Sequence, residues 1–223
     1  MNAAVVVMTK TPEPGKTKTR LMSVLSGEEC ALFHRACLRD VFNVILELVI
    51  NRKIHGYVYL TGNGDMDIPP QFVIGKQSGH DLGRRLHNAA RELLALHDRI
   101  IFVGSDLPDL EAEALLEACT WLNEADVVIG PALDGGYYLL GIKHLHDEMF
   151  SNIDWGGPLV LAQTLEAITQ NDLCYRLLAT RSDIDTWDDL KRFHATGDSR
   201  KKRLFAYSVA KTLLERHGRK ISP

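Results

Sequence analysis

Lys10, Lys16, Lys18 and Arg20 crowd into one short stretch, "KTPEPGKTKTRL" (10–21), with Glu13 as the single acid. Its Gly15-Lys16-Thr17 ends like the phosphate-binding pattern G-x-x-x-x-G-K-[ST], but the first glycine of that pattern would fall on Lys10. Pro12 and Pro14 also remove backbone N–H groups where such a loop must donate to phosphate. The first strong helix-start signal comes only at Ser26, so residues 17–25 form at most a short helical turn. What the stretch can do is electrostatic. Cations spaced along a loop after a first strand can clamp a polyphosphate, and Arg20 can engage two oxygens at once through its planar fork. The plain alternative is a solvated basic loop.

The acids that could complement such a clamp lie far along the chain. In "FVGSDLPDL" (102–110), Asp106 follows an apolar run and precedes Pro108. A carboxylate there can coordinate a divalent cation between phosphates, or simply form a turn. In "RSDIDTWDDL" (181–190), Asp183 and Asp185 precede a helix signal; they are either caps or, for Asp185, a second carboxylate for the same cation. "GPALDGGYYLLG" (130–141) reads as a turn at Asp134-Gly135-Gly136 leading into a strand, or as a pocket whose glycines let a ligand reach the backbone beside Tyr137. Two smaller signals are "QSGHDLGRRLHNA" (77–89), a glycine-flanked loop running into a helix that contains Gly83, and "IDWGGP" (153–158), where Trp155 could stack on a sugar or fill a gap. His144 and His146 are spaced to opposite faces of a helix and make a poor metal pair.

The elements that must position these residues alternate in type. Runs at 3–9, 56–61, 72–75, 99–104, 126–131 and 175–180 read as strands, several apolar throughout, as in strands buried on both faces. Ser26-x-x-Glu29 is a capping box opening a long helix with one core-facing stripe (Leu32, Phe33, Ala36, Cys37, Val41, Val44, Ile45, Leu48). Helices follow at 82–96, 111–125 and 158–170, after Thr186, and as a last helix over 199–217. Strand and helix in alternation predict a three-layer α/β/α sandwich around a mixed, mostly parallel sheet, with ligands at the carboxyl ends of the strands.

With 223 residues, 45% hydrophobic and 25% charged, the chain suits one large domain with a full core, onto which the last helix is appended. A net charge of -3 argues against a nucleic-acid binder, which needs a dominant basic face. Cys30, Cys37, Cys119 and Cys174 form no C-x-x-C pair, which favours a reducing cytoplasm, and no stretch approaches the ~18 apolar residues of a spanning helix.

Taken in order, "MTKTPEPGKTKTRL", "GHDLGRRLHNA", "GSDLPDL", "GPALDGGYYLLG", "IDWGGPLVLAQT" and "DIDTWDDL" resemble DUF2064, a bacterial family of glycosyltransferase-like proteins with the GT-A fold, some of them named as glycosyltransferases of arsenosugar biosynthesis. The resemblance spans roughly residues 3–195. A more distant likeness runs to nucleotidyltransferases of the molybdenum-cofactor and 2-phospho-lactate type, within the nucleotide-diphospho-sugar transferase superfamily.

The resemblance implies Mg²⁺ or Mn²⁺, a nucleotide-sugar or NTP, and a small-molecule acceptor. It places Lys10, Lys16, Lys18 and Arg20 at the nucleotide phosphates and makes Asp106 the metal carboxylate, with Asp185 a second contact; Gly15 and Gly83, in their glycine-containing loops, are further candidates for the phosphates. Asp134, Gly135, Gly136, Tyr137 and Trp155 fall in the substrate pocket, Asp134 being the base an inverting transfer would need. The activity it implies is glycosyl transfer; nucleotidyl transfer and a nucleotide-binding module without turnover are the alternatives. On this reading, replacing Asp106 would abolish metal binding and leave the ligand-free chain nearly as stable. The chain departs from two patterns of the wider fold: Asp106 stands alone where many GT-A enzymes have Asp-x-Asp, and the L-x-A-G-x-G-x-R start of the nucleotidyltransferases is missing.

Overall fold

Alternation along the first strand sets the layers. In β1 (Ala3–Lys10), Ala3, Val5 and Val7 enter one apolar cluster and Val6 and Met8 another, because successive side chains leave a strand on opposite faces. The computed structural model describes residues 2–51 and 53–218. Its further strands are β2 (His55–Thr61), β3 (Val73–Lys76), β4 (Arg99–Val103), β5 (Val127–Pro131), β6 (Tyr137–Ile142) and β7 (Tyr175–Leu177). They form one seven-stranded sheet in the order β3-β2-β1-β4-β6-β5-β7. β6 runs antiparallel to both β4 and β5, and the other pairings are parallel.

Helices α1 (Gly27–Ile50) and α3 (Ala112–Trp121) cover the Val5 face, while α2 (Leu82–Leu93) and α4 (Val160–Gln170) cover the Val6 face. A third cluster lies outside these layers, where α5 (Trp187–Ala195) and α6 (Phe205–His217) pack on the N-terminal half of α1 through Phe33, Cys37, Trp187, Leu190 and Leu213. This explains why α1 is buried on two faces rather than on one stripe: Leu38, Val41, Ile45 and Leu48 meet the sheet, Cys30, Phe33, Ala36 and Cys37 meet α5 and α6, and Leu32 is 52% exposed.

The Ser26 capping box forms with Glu29, and Thr186 makes the same reciprocal bonds with Asp189. The expected last helix is divided. Residues Lys201–Arg203 form a 3₁₀ turn, Leu204 is extended, and α6 begins at Phe205. The break has a remote cause. Asp40 on α1 accepts hydrogen bonds from the backbone N–H groups of Phe205 (3.0 Å) and Ala206 (2.8 Å), so a carboxylate from another helix caps this one. Among the described residues no helix is long and apolar enough to cross a membrane.

Candidate functional site

β1 and β4 are parallel neighbours, so Thr9–Lys10 and Ser105–Asp106 emerge side by side at their carboxyl ends. The loop after β1 folds back over this edge. Lys16 pairs with Glu13 (2.6 Å), which also accepts from Thr11 Oγ1 (2.8 Å) and from the backbone of Asn63 (3.0 Å), tying the loop to the end of β2. Those bonds, with that to Lys16 the strongest, hold the Glu13 carboxyl down at about 2. Gly15 takes φ +73°, which a glycine adopts without strain. A 3₁₀ turn at Thr19–Ser23 follows, and no phosphate-loop helix starts at Gly15-Lys16-Thr17.

At Lys18 the backbone turns left-handed (φ 51°, ψ 40°) and sends the side chain inward. Its Nζ lies 2.6 Å from Asp106 Oδ1 and 3.2 Å from Asp185 Oδ1, and donates to the Ile184 carbonyl at 2.5 Å. The Lys18 side chain is 2% exposed, whereas Asp106 keeps 41% of its side chain open to the cleft. Burial works against both charges. For Lys18 the field of Asp106, then of Asp185, outweighs it and raises the ammonium above its ordinary range; for Asp106 the facing ammonium wins and holds the carboxyl below its usual range. Both are charged at neutral pH.

A cleft of about 400 Å³ opens in front of this pair. Lys10, Lys16, Arg20 and Arg85 on its wall supply positive charge, and Asp106 and Asp185 line the same cleft. Arg20 reaches Asp185 Oδ2 only at 3.9 Å and is 63% exposed, so its fork is available to a ligand. Behind Asp106, the buried His34 of α1 brings Nε2 to 3.1 Å from Ser105 Oγ and 3.3 Å from Thr9 Oγ1. Burial depresses this imidazole to about 4, so it is neutral and adds no charge to the cleft. Gln77 Nε2 donates to both Thr9 O (2.9 Å) and Tyr59 O (2.8 Å), joining the ends of β1 and β2.

A second cavity of about 220 Å³ continues from the first between α2 and the ends of β4 and β6. Asp183 and Tyr137 are on its wall. Asp183 Oδ1 is buried without a hydrogen-bond partner, and burial, helped by the negative fields of Asp106 and Asp134, pushes its carboxyl up to about 7.

The structure thus brings Lys10, Lys16, Lys18, Arg20, Asp106 and Asp185 to one cleft. Other expected residues have structural occupations. Asp134 is exposed and accepts from Gly136 N (2.9 Å), closing a local turn. Gly135 (φ +91°) packs so tightly on the Pro158 carbonyl that a Cβ would overlap it. Neither Asp134, Gly135 nor Gly136 lines either cavity. Gly83 admits the Trp155 indole: a Cβ there would stand 2.1 Å from Trp155 Nε1. Trp155 in turn meets Tyr137 edge-on at 6.4 Å.

His34, Gln77, Arg85 and Asp183 belong to the cleft region although sequence did not nominate them. His34 had a signal, a polar residue on an otherwise apolar helix face. Asp183 had the same motif as Asp185, and only folding separates their surroundings.

Residues 45–157 match the family model of an uncharacterized protein conserved in bacteria, DUF2064. A presumed nucleotide-diphospho-sugar transferase from Desulfovibrio desulfuricans G20 is similar over 96% of this chain and 97% of its own, at 30% identity and a TM-score of 0.86. The chain belongs to the DUF2064 family. More remote likenesses of this DUF2064 protein are of fold alone. CMP:2-keto-3-deoxy-manno-octonic acid synthetase complexed with CTP matches with a TM-score of 0.52 and 11% identity, over 87% of this chain and 98% of that one. A Mycobacterium tuberculosis H37Rv protein, Rv0371C in complex with manganese, matches with a TM-score of 0.50 and 13% identity, over 88% and 100%. No curated protein matches the sequence. The fold is that of the nucleotide-diphospho-sugar transferases.

Among the described residues no group of three or more His, Cys, Asp or Glu side chains is gathered to hold a metal ion. The donor set nevertheless fits one mode. A magnesium-type ion needs only one or two carboxylates when substrate phosphates and water complete its shell, and Asp106 presents a charged, partly open carboxylate to the basic cleft.

Proposed function

We propose that this DUF2064 protein transfers a glycosyl group from a nucleotide-diphospho-sugar to a small hydroxyl-bearing acceptor. The observation that carries the reading is the cleft itself, with Lys10, Lys16, Arg20 and Arg85 on a wall that also holds the charged, half-open Asp106. Lys10, Lys16 and Arg20 bind the diphosphate and absorb the charge that grows on it as the bond to the sugar breaks. Asp106, with Asp185 as the second candidate, would hold Mg²⁺ or Mn²⁺, which when bound supplies further stabilisation of the leaving diphosphate. Lys18 keeps both carboxylates aimed at the cleft from below.

In the transfer, an acceptor hydroxyl oxygen bonds the anomeric carbon while the carbon–oxygen bond to the diphosphate breaks, its electron pair leaving with the nucleoside diphosphate. The hydroxyl proton passes to Asp183, whose Oδ1 is buried without a partner on the wall of the second cavity. Asp183 replaces Asp134 as the preferred base, because Asp134 is committed to its turn and lies off both cavities.

The likeness to a synthetase that binds CTP supports a second reading, nucleotidyl transfer from an NTP with loss of pyrophosphate. Incubation with Mn²⁺, a panel of nucleotide-sugars and a panel of NTPs with sugar phosphates separates the two by product. Release of nucleoside diphosphate supports glycosyl transfer, and release of pyrophosphate overturns it. A chain that no nucleotide stabilises against heating is neither enzyme.

A further inference from the structure

Beside the polar cleft, the second cavity is of opposite character. Its floor is made by Leu86, Phe102 and Leu140, each no more than 3% exposed. Met8 and Leu82 line both cavities and mark their junction, together with Ser105 and Asp106. Leu82 opens α2 there with 43% of its surface exposed, an apolar side chain left uncovered at the point where a bound ligand would bend from one cavity into the other. One polar atom on this wall, Asp183 Oδ1, is buried without a hydrogen-bond partner, whereas the Tyr137 hydroxyl is turned to Thr164 of α4, outside the cavity. A ligand entering here meets hydrocarbon over most of its surface and oxygen from Ser105, Asp106 and Asp183.

We propose that the acceptor of this protein is an alcohol bearing an apolar group, an aromatic ring or a branched hydrocarbon, with that group seated in the second cavity and its hydroxyl turned back toward Asp183 and Asp106. The inference rests on the transfer reading above and adds the acceptor's chemical class. Size agrees: a cavity of about 150 Å³ lined by Leu, Ile and Phe accepts benzene, and the present one, at about 220 Å³, has room for a ring with a short substituent. A polyhydroxylated acceptor would fit poorly, because hydroxyls set against Leu86, Phe102 and Leu140 would lose their water partners without replacement. The hydroxyl at the mouth is the one that reacts. Its oxygen joins the anomeric carbon, its proton goes to Asp183, and the nucleoside diphosphate departs.

Benzyl alcohol and glycerol serve as the two probes. Saturation-transfer NMR on the full chain without donor should detect benzyl alcohol and not glycerol. Two substitutions locate it: Leu86→Phe fills the floor, and Leu82→Glu, at a half-exposed lip, places a charge at the entrance without burdening the core. Each should remove the benzyl alcohol signal. With Mn²⁺ and a nucleotide-sugar that stabilises the protein, benzyl alcohol should raise nucleoside diphosphate release on the order of tenfold more than glycerol at equal concentration, the discrimination an apolar pocket typically reaches. Equal stimulation by glycerol, or benzyl alcohol binding untouched by Leu82→Glu, overturns the proposal. If no donor is ever turned over, the transfer reading fails by itself, and the binding measurement still decides whether the cavity takes an apolar alcohol.

Discussion

Lys18 Nζ stands 2.6 Å from Asp106 Oδ1, joining a loop that follows the first strand to the turn that follows the fourth. The same ammonium holds Asp185 at 3.2 Å, so one buried cation collects the carboxylates of two distant motifs. A lysine placed this way is a counter-ion first. Lys16 and Arg20 are the exposed cations, at 71% and 63%, and under the proposed function they are the ones that meet phosphate.

Lys18→Met should therefore leave Asp106 and Asp185 without the buried cation they share. Breaking a buried pair costs 3–5 kcal/mol, and the partial exposure of both acids reduces the expectation to about 2 kcal/mol, a fall of about 4–8 °C in Tm for a chain of this size. Mn²⁺ should restore more stability to this variant than it adds to the native chain. Thermal melts with and without Mn²⁺ measure both effects, and an unchanged ligand-free Tm would remove Lys18 from its role.

Asp106→Asn tests the other side of the contact. Sequence alone treats Asp106 as a free metal ligand whose loss leaves the ligand-free protein intact. The contact with Lys18 reverses that expectation: the variant should lose the metal-dependent shift in Tm and also melt lower without metal, by about 1–3 kcal/mol. Equal melting of the two ligand-free proteins would show the Lys18 contact to be energetically empty.

Asp40 predicts a pH dependence. Burial raises its carboxyl from the ordinary 3.8 to about 6, against the pull of the Ala206 and Phe205 N–H groups. A raised carboxyl contributes stability below its unfolded value of about 3.9 and loses it as pH climbs through about 6, a change of roughly 3 kcal/mol at 1.36 kcal/mol per unit. Urea denaturation at pH 4 and pH 7.5 should show Asp40→Asn gaining most of that amount relative to the native chain as pH rises. Parallel pH profiles for the two proteins would contradict it.

Gly83→Ala should act through Trp155. The added methyl would sit 2.1 Å from the indole nitrogen, so the ring must leave its seat on α2. The expected cost is about 1–3 kcal/mol, with a shift in tryptophan emission and no direct loss of phosphate contacts. A variant with native fluorescence and weakened nucleotide binding would instead return Gly83 to the phosphate site.

What was legible from the chain follows from local rules. Apolar runs and capping boxes report the elements, because periodicity and end signals act over a few residues, and the Ser26 and Thr186 boxes form as their spacing demands. The β1 loop, Asp106 and Asp185 could be found because a parallel sheet sends the ends of its strands to one edge. Less visible were matters of contact between remote segments. Gly130 reads as an opening for a ligand, yet its missing side chain makes room for the ring of Tyr138. Asp183 and Asp185 are indistinguishable in "SDIDT", yet one faces Lys18 and the other keeps a buried, unpartnered oxygen, with its carboxyl raised to about 7.

The sequence by itself determined the class of fold and the sheet edge where the charged loops gather, since hydrophobic period and strand direction are written locally. Only the tertiary structure decided which charges neutralise one another. Whether Lys18 meets phosphate or carboxylate depends on a left-handed turn and on two segments far off in the chain, and that electrostatic balance exists only once they are packed together.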